Sequence, residues 1–90
     1  MMLEPIYKTK FKKDLKLMEK RGKSIDKLKT VIRQLIEEKP LEAKYSDHPL
    51  KGNYIDTREC HIEPDWLLVY LVKGDFITFV RTGSHSDLFK

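Results

Sequence analysis

Apolar residues recur at helical spacing in the first half of the chain and at strand spacing in the second. Phe11, Leu15 and Met18 fall at i, i+4 and i+7, with Leu17 widening the stripe. Lys10, Lys12, Lys13, Lys16 and Lys20 occupy the positions between. That period predicts an amphipathic helix from Thr9, stopped at Gly22. Ser24 is placed to cap a second helix, and Asp26 lies in its first turn, where the helix dipole favours an anion. Leu28, Ile32 and Leu35 form the second stripe, flanked by Ile25, Val31 and Ile36, and Pro40 ends it. Ahead of this helical hairpin, residues 3–8 predict a short strand that Pro5 confines to an edge or a start.

The period changes after Pro40. Residues 41–52 are rich in turn formers and predict irregular chain. Residues 54–62 predict a strand, Glu63-Pro64-Asp65 a turn, and Trp66 to Val72, apolar on both faces, a central strand. Lys73-Gly74-Asp75 predicts a hairpin turn. The strand that follows runs from Phe76 to Thr82, with Ile77, Phe79 and Arg81 on one face and Phe76, Thr78 and Val80 on the other. Helices followed by a meander define an α+β fold: an N-terminal strand and a two-helix hairpin packed on a mainly antiparallel four-stranded sheet.

Length and composition narrow the class. Ninety residues make one small domain, 1–90, and 40% hydrophobic with 36% charged residues excludes global disorder. The longest apolar run, Trp66 to Val72, is too short to span a bilayer, and no secretory leader is recognisable. A single cysteine excludes an internal disulfide and predicts a reducing, cytoplasmic setting. The net charge of +4 is unevenly distributed. Residues 1–39 carry 12 Lys/Arg against 6 Asp/Glu, a balance of +6; residues 40–90 carry 6 against 8, a balance of −2. All three histidines lie in the second part.

Those histidines are the candidate chemistry. His48 precedes a proline in a turn, His61 sits near a strand end four residues before Asp65, and His85 follows Gly83 at another strand end. Side chains at element ends can converge on one rim of a sheet. Three imidazoles and a carboxylate suit either a transition metal or metal-free acid–base work near neutral pH. The spacing does not favour metal: no HxH or HxxxH pair occurs, and Cys60 and His61 point to opposite faces of a regular strand. Arg81 and Lys51 are candidate phosphate clamps, or else a snorkelling edge residue and a solvated turn lysine. Phe89 is a terminal anchor or a ring on which a base stacks. Tyr45, Glu59 and Glu63 read as surface or support, and Cys60 as a small strand residue. The lysines of the first helix are a solvated face or a polyanion grip.

Three stretches carry a resemblance: Tyr45-Ser-Asp-His-Pro-Leu-Lys-Gly-Asn-Tyr, Arg58-Glu-Cys-His-Ile-Glu-Pro-Asp-Trp-Leu-Leu-Val-Tyr and Arg81-Thr-Gly-Ser-His-Ser-Asp-Leu-Phe. Together they resemble the YafQ branch of the RelE/ParE toxin superfamily. The resemblance implies a RelE-like fold and a type II toxin: a metal-independent endoribonuclease that cleaves mRNA on the translating ribosome. Its implied partners are a cognate antitoxin, mRNA and the ribosome, with a toxin–antitoxin complex that binds operator DNA. No cofactor and no membrane are implied. The family's active-site positions fall on His48, His61, Asp65, His85 and Phe89. The histidine set distinguishes this branch from relatives that rely on arginine, lysine and tyrosine, and from gyrase-directed members.

RNA carries its own nucleophile, the 2′-hydroxyl, so cleavage needs a base, an acid for the departing 5′ oxygen, and cations for the developing charge. The expected assignment is His85 as acid, His48 or Asp65 as base, and His61 orienting or sharing charge. Arg81 and Lys51 would hold phosphate, and Phe89 would stack. The competing expectation is a non-catalytic RNA- or antitoxin-binding module.

Overall fold

The computed structural model describes residues 2–50 and 56–89. Strand β1 (Glu4–Tyr7) leads into helices α1 (Thr9–Lys20) and α2 (Ile25–Ile36). A 3-10 turn at Ala43–Tyr45 precedes β2 (His48–Pro49), and the chain closes with β3 (Arg58–Glu63), β4 (Trp66–Lys73), β5 (Phe76–Gly83) and a short helix α3 (His85–Leu88). The sheet order is β1-β5-β4-β3-β2. Only β1 runs parallel, against β5; the other pairs are antiparallel. The α+β expectation holds, with one strand more than the four predicted: β2 lies in the stretch read as irregular. Two residues of a histidine-proline turn carry no period for a sequence pattern to reveal.

Both helices end as their local chemistry dictates. Gly22 takes φ +80°, Lys23 N–H bonds the Met18 carbonyl and Gly22 N–H the Glu19 carbonyl. This is the Schellman stop expected at glycine. Helix α2 uses the same closure with Glu38 at φ 56°, where Lys39 N–H bonds Gln34 and Glu38 N–H bonds Leu35. A side chain in that left-handed region costs about 1–2 kcal/mol. The helix is therefore stopped by backbone hydrogen bonds before Pro40 is reached. Ser24 holds the N-cap position of α2, but its side chain makes no capping bond.

One sheet face packs on the helices. Phe11, Met18, Leu28, Val31 and Leu35 meet Cys60, Ile62, Trp66, Leu68, Tyr70, Ile77 and Phe79. Leu17, expected to widen the α1 stripe, is 40% exposed instead. The opposite face buries Leu67 and Val69 under Leu88, with Leu50 and Val80 alongside. A bulge in β5 opposite Val69 and Tyr70 changes the parity of the strand. Thr82, not Arg81, therefore continues the core face of Ile77 and Phe79: it is fully buried, accepts from Trp66 Nε1 at 2.9 Å and donates to the Leu67 carbonyl at 2.7 Å. Strand β1 covers β5 only as far as Phe79. Above it, Asp14 of α1 accepts the Thr82 N–H at 3.1 Å, satisfying a buried edge donor.

Candidate active site

The alternation of β3 sends Cys60 and Ile62 to the helices and leaves Glu59 and His61 together on the other face. Strand β2 then sets His48 opposite Glu59. Asp47, just before it, is anchored by Tyr70 Oη at 2.6 Å and by Arg58 Nε at 3.2 Å. Ser46 turns left-handed, φ 47°, and its carbonyl accepts from His48 Nδ1 at 2.6 Å. His48 Nε2 faces Glu59 Oε2 at 2.9 Å, and His61 Nε2 lies 3.7 Å from the same oxygen. His61 Nδ1 donates to the Pro64 carbonyl at 3.2 Å.

Carbonyl oxygens only accept, so the Nδ1 of both rings carries a proton. Each Nε2 is left facing Glu59 Oε2, close for His48 and beyond hydrogen-bonding distance for His61. That carboxylate is 4% exposed, and its Oε1 is buried with no hydrogen-bond partner among the described residues. A buried polar atom left so costs about 1–3 kcal/mol. It is the kind of expense that accumulates at functional sites.

The third histidine arrives from a different element. Asp65, in the turn between β3 and β4, accepts both the backbone N–H of His85 at 3.0 Å and its Nδ1–H at 2.9 Å. These two bonds, the backbone one first, hold the Asp65 carboxyl below its ordinary pKa. Helix α3 is held in turn by a capping box, in which Ser84 Oγ accepts from Asp87 N–H and Asp87 accepts from Ser84 N–H. Arg21, at the end of α1, forks onto Asp87 at 2.6 and 3.0 Å. The fork, followed by the Ser84 N–H, holds the Asp87 carboxyl far below the usual range. Gly83 is required here, because an added Cβ would lie 2.9 Å from Asp87 Oδ2.

The rings form a row. Centroids are 6.0 Å apart from His48 to His61, 6.0 Å from His61 to His85 and 6.2 Å from His85 to Phe89. Segments some forty residues apart in sequence thus present three imidazoles and one phenyl ring, each next to the one before, with Glu59 against His48 and Asp65 against His85. His48, His61, Asp65, His85 and Phe89 are brought together. Arg81 is not: its guanidinium forks onto Asp14 of α1 at 2.6 and 3.0 Å. Lys51 lies outside the described residues. Cys60 faces the core, where burial pushes its thiol up to about 12, so no thiolate is available near neutral pH.

Glu59 is the residue that sequence reasoning passed over as support. Its i, i+2 relation to His61 was visible, but nothing in the sequence showed that β2 would dock a histidine opposite it. His48, Glu59 and His61 each offer one ligand atom, all within 4.8 Å of one another. Two imidazoles and a carboxylate are a donor set that zinc or copper accepts.

A helical hairpin on one face of a mixed sheet, with three histidine rings across the other, is the arrangement of a RelE-like fold. Residues 3–90 match the family model described as the bacterial toxin of type II toxin–antitoxin system, YafQ. The chain is 44% identical over 84 residues to the mRNA interferase toxin YafQ of Escherichia coli K12, covering 92% of this chain and 91% of that one. The E. coli DinJ–YafQ toxin–antitoxin complex superposes with a TM-score of 0.93 at 41% identity, covering 100% of both chains. A metal-bound toxin from Helicobacter pylori gives a TM-score of 0.92 at 49% identity, covering 98% of this chain and 100% of that one. The chain belongs to the YafQ family of type II toxins.

Proposed function

We propose that this chain is the toxin of a type II toxin–antitoxin pair and acts as an mRNA interferase, cutting mRNA by attack of the 2′-hydroxyl on the neighbouring phosphodiester. The row of imidazoles between two carboxylates carries this reading. The His48–Glu59 pair, with Nε2 and Oε2 2.9 Å apart, takes up the 2′-hydroxyl proton and holds it as an imidazolium–carboxylate contact. Asp65 is the poorer base, because its pKa is lowered and one oxygen already accepts two bonds from His85. Asp65 instead holds the His85 tautomer and orientation. His85 delivers the proton to the 5′ oxygen as the P–O5′ bond breaks, leaving a 2′,3′-cyclic phosphate and a 5′-hydroxyl. His61, between them, donates to the phosphate as charge develops. Phe89, next to His85, offers a ring for a flanking base.

The reading extends to partners. The natural substrate is mRNA on the translating ribosome, the setting is the cytoplasm, and the cognate antitoxin is the inhibitor, with the pair binding operator DNA. No helix among the described residues is long and apolar enough to cross a membrane.

Cleavage of a defined mRNA, with and without ribosomes, tests the reading. His85→Ala and Asp65→Ala are expected to lower the rate by about 10²–10⁴-fold and about 10-fold or more, respectively. Undiminished cleavage and growth arrest by both variants would overturn it. A second reading rests on the His48–Glu59–His61 cluster and on the metal-bound H. pylori relative. A divalent ion held there would occupy the lone pairs that the base requires. Acid–base cleavage therefore survives EDTA and is suppressed by added copper or zinc. Loss of activity in EDTA with recovery on zinc would make the metal a participant.

A further inference from the structure

Strand β2 begins at His48, and β3 continues past that residue. The Leu50 N–H bonds the Thr57 carbonyl at 2.9 Å, and His48 pairs with Glu59. By strand alternation the next backbone groups on that outer edge belong to His61, where no strand among the described residues lies alongside. The chain before His48 swings away instead, through the left-handed Ser46. The gap is an open cleft of about 690 Å³ between the 3-10 turn and α2, lined in part by Tyr45, His61, Ile62 and Pro64, with Lys27 and Lys44 on its sides.

The lining chemistry is specific. Tyr45 is half-buried, with its ring resting on the core, and the Lys44 ammonium stands 5.2 Å from its ring centroid. That ammonium covers the open ring face, so a base stacks on Tyr45 by displacing Lys44 toward the phosphate it would contact. Among the described lining residues Glu63 is the carboxylate, neutralised by Lys23 at 2.9 Å and Lys27 at 3.0 Å, and Glu42 lies 3.9 Å from Lys44, which leaves one ammonium in surplus over the two carboxylates. An aromatic ring, a strand edge and surplus ammonium charge are what single-stranded RNA uses: stacking, base-edge hydrogen bonds and phosphate contact. The cleft is also large enough for one nucleotide, and His61 belongs both to it and to the ring row.

We propose that this cleft is a nucleotide subsite that seats the residue next to the cleaved phosphodiester, its base against Tyr45 and its phosphate toward Lys27 and Lys44. The subsite rests on the mRNA-cleaving reading for its substrate. It gives base preference a location: the base reached from His61, on the far side of the row from Phe89. An acidic or apolar protein segment is the competing occupant, and the surplus of cations with a sequence-tolerant stacking face favours RNA over it.

Binding of short fluorescent RNAs is measured by anisotropy in a His85→Ala background, where no cutting interferes. One set of RNAs carries a single abasic nucleotide stepped past the cleavage position. Tyr45→Leu is expected to weaken intact RNA by about 10-fold. It is also expected to erase the penalty of an abasic nucleotide at one position and no other. Tyr45→Phe keeps the ring and is expected to bind like the parent. Lys44→Glu leaves the core untouched and is expected to weaken all RNAs in a salt-dependent way. The proposal is overturned if Tyr45→Leu and Lys44→Glu bind every RNA like the parent, or if the tyrosine and abasic effects simply add. It is equally overturned if these variants lose antitoxin and keep RNA. Position-specific binding through Tyr45, together with no cleavage by the His85-containing chain, would instead remove the catalytic reading and leave the subsite standing.

Discussion

A carboxylate buried under two imidazoles, with one oxygen lacking a partner among the described residues, costs a small domain stability whatever it does for the rings above it. Glu59 therefore separates function from stability at the scale of one residue. Glu59→Gln keeps the shape and one acceptor for His48 but removes the charge that stabilises its imidazolium. Single-turnover cleavage is expected to fall by about 10²-fold. The urea midpoint is expected to change little, since relief of the buried carboxylate's desolvation offsets the lost contact with half-exposed His48. Full cleavage by that variant would reduce Glu59 to a packing residue. The contrast with Arg81 is instructive. Both were polar residues on predicted strands. One turned out to sit under the rings, through the pairing of β2 with β3, and the other to brace α1 against β5, beside a single-residue bulge.

Among the elements, α3 is the one that fixes the His85 end of the row. It has only four residues, too few to persist by helix propensity. The Ser84–Asp87 capping box, the Arg21 fork and the burial of Leu88 hold it. The Asp87 carboxyl is depressed in the folded state, so its contribution is fully present above the unfolded value of about 3.9 and fades as pH falls toward the folded one. In that window the unfolded chain binds more protons, and acid favours it. Glu63 and Asp65, also lowered, act in the same direction. Asp87→Asn is expected to lower the urea midpoint at pH 7 and to lessen its further fall between pH 5 and pH 3. Its cleavage rate should drop along with the order of His85. An unchanged acid dependence would show that the fork contributes nothing to folding.

At the scale of the molecule, charge and chemistry occupy different faces. The lysines of α1 surround a helix that packs on one side of the sheet, while Glu59 and His61 emerge on the other. Lys12, Lys13 and Lys16 are all exposed there. They cannot touch the phosphate being cut, and a grip on more distant RNA phosphates is the role open to them. Replacing the three with glutamine is expected to lower the slope of log affinity against log salt for ribosomes or long RNA by about 2. Cleavage of a short free RNA should be almost unaffected. If that cleavage is abolished instead, the two faces do not divide the work.

The sequence by itself determined the helical hairpin, the β4–β5 meander and the α+β class, because those depend on periods of 3.6 and 2 that are written locally. It also placed the histidines at element ends, and the three motifs around them identified the family. It could not supply β2, α3 or the bulge in β5, whose hydrogen bonds reach across the fold and leave no repeating pattern. Nor could it assign Glu59, whose meaning depends on a strand of two residues, nor Arg81, whose partner lies 67 positions away. Tertiary structure alone decided which polar side chains share a face and which neutralise one another, because both depend on register between strands and on the docking of helices.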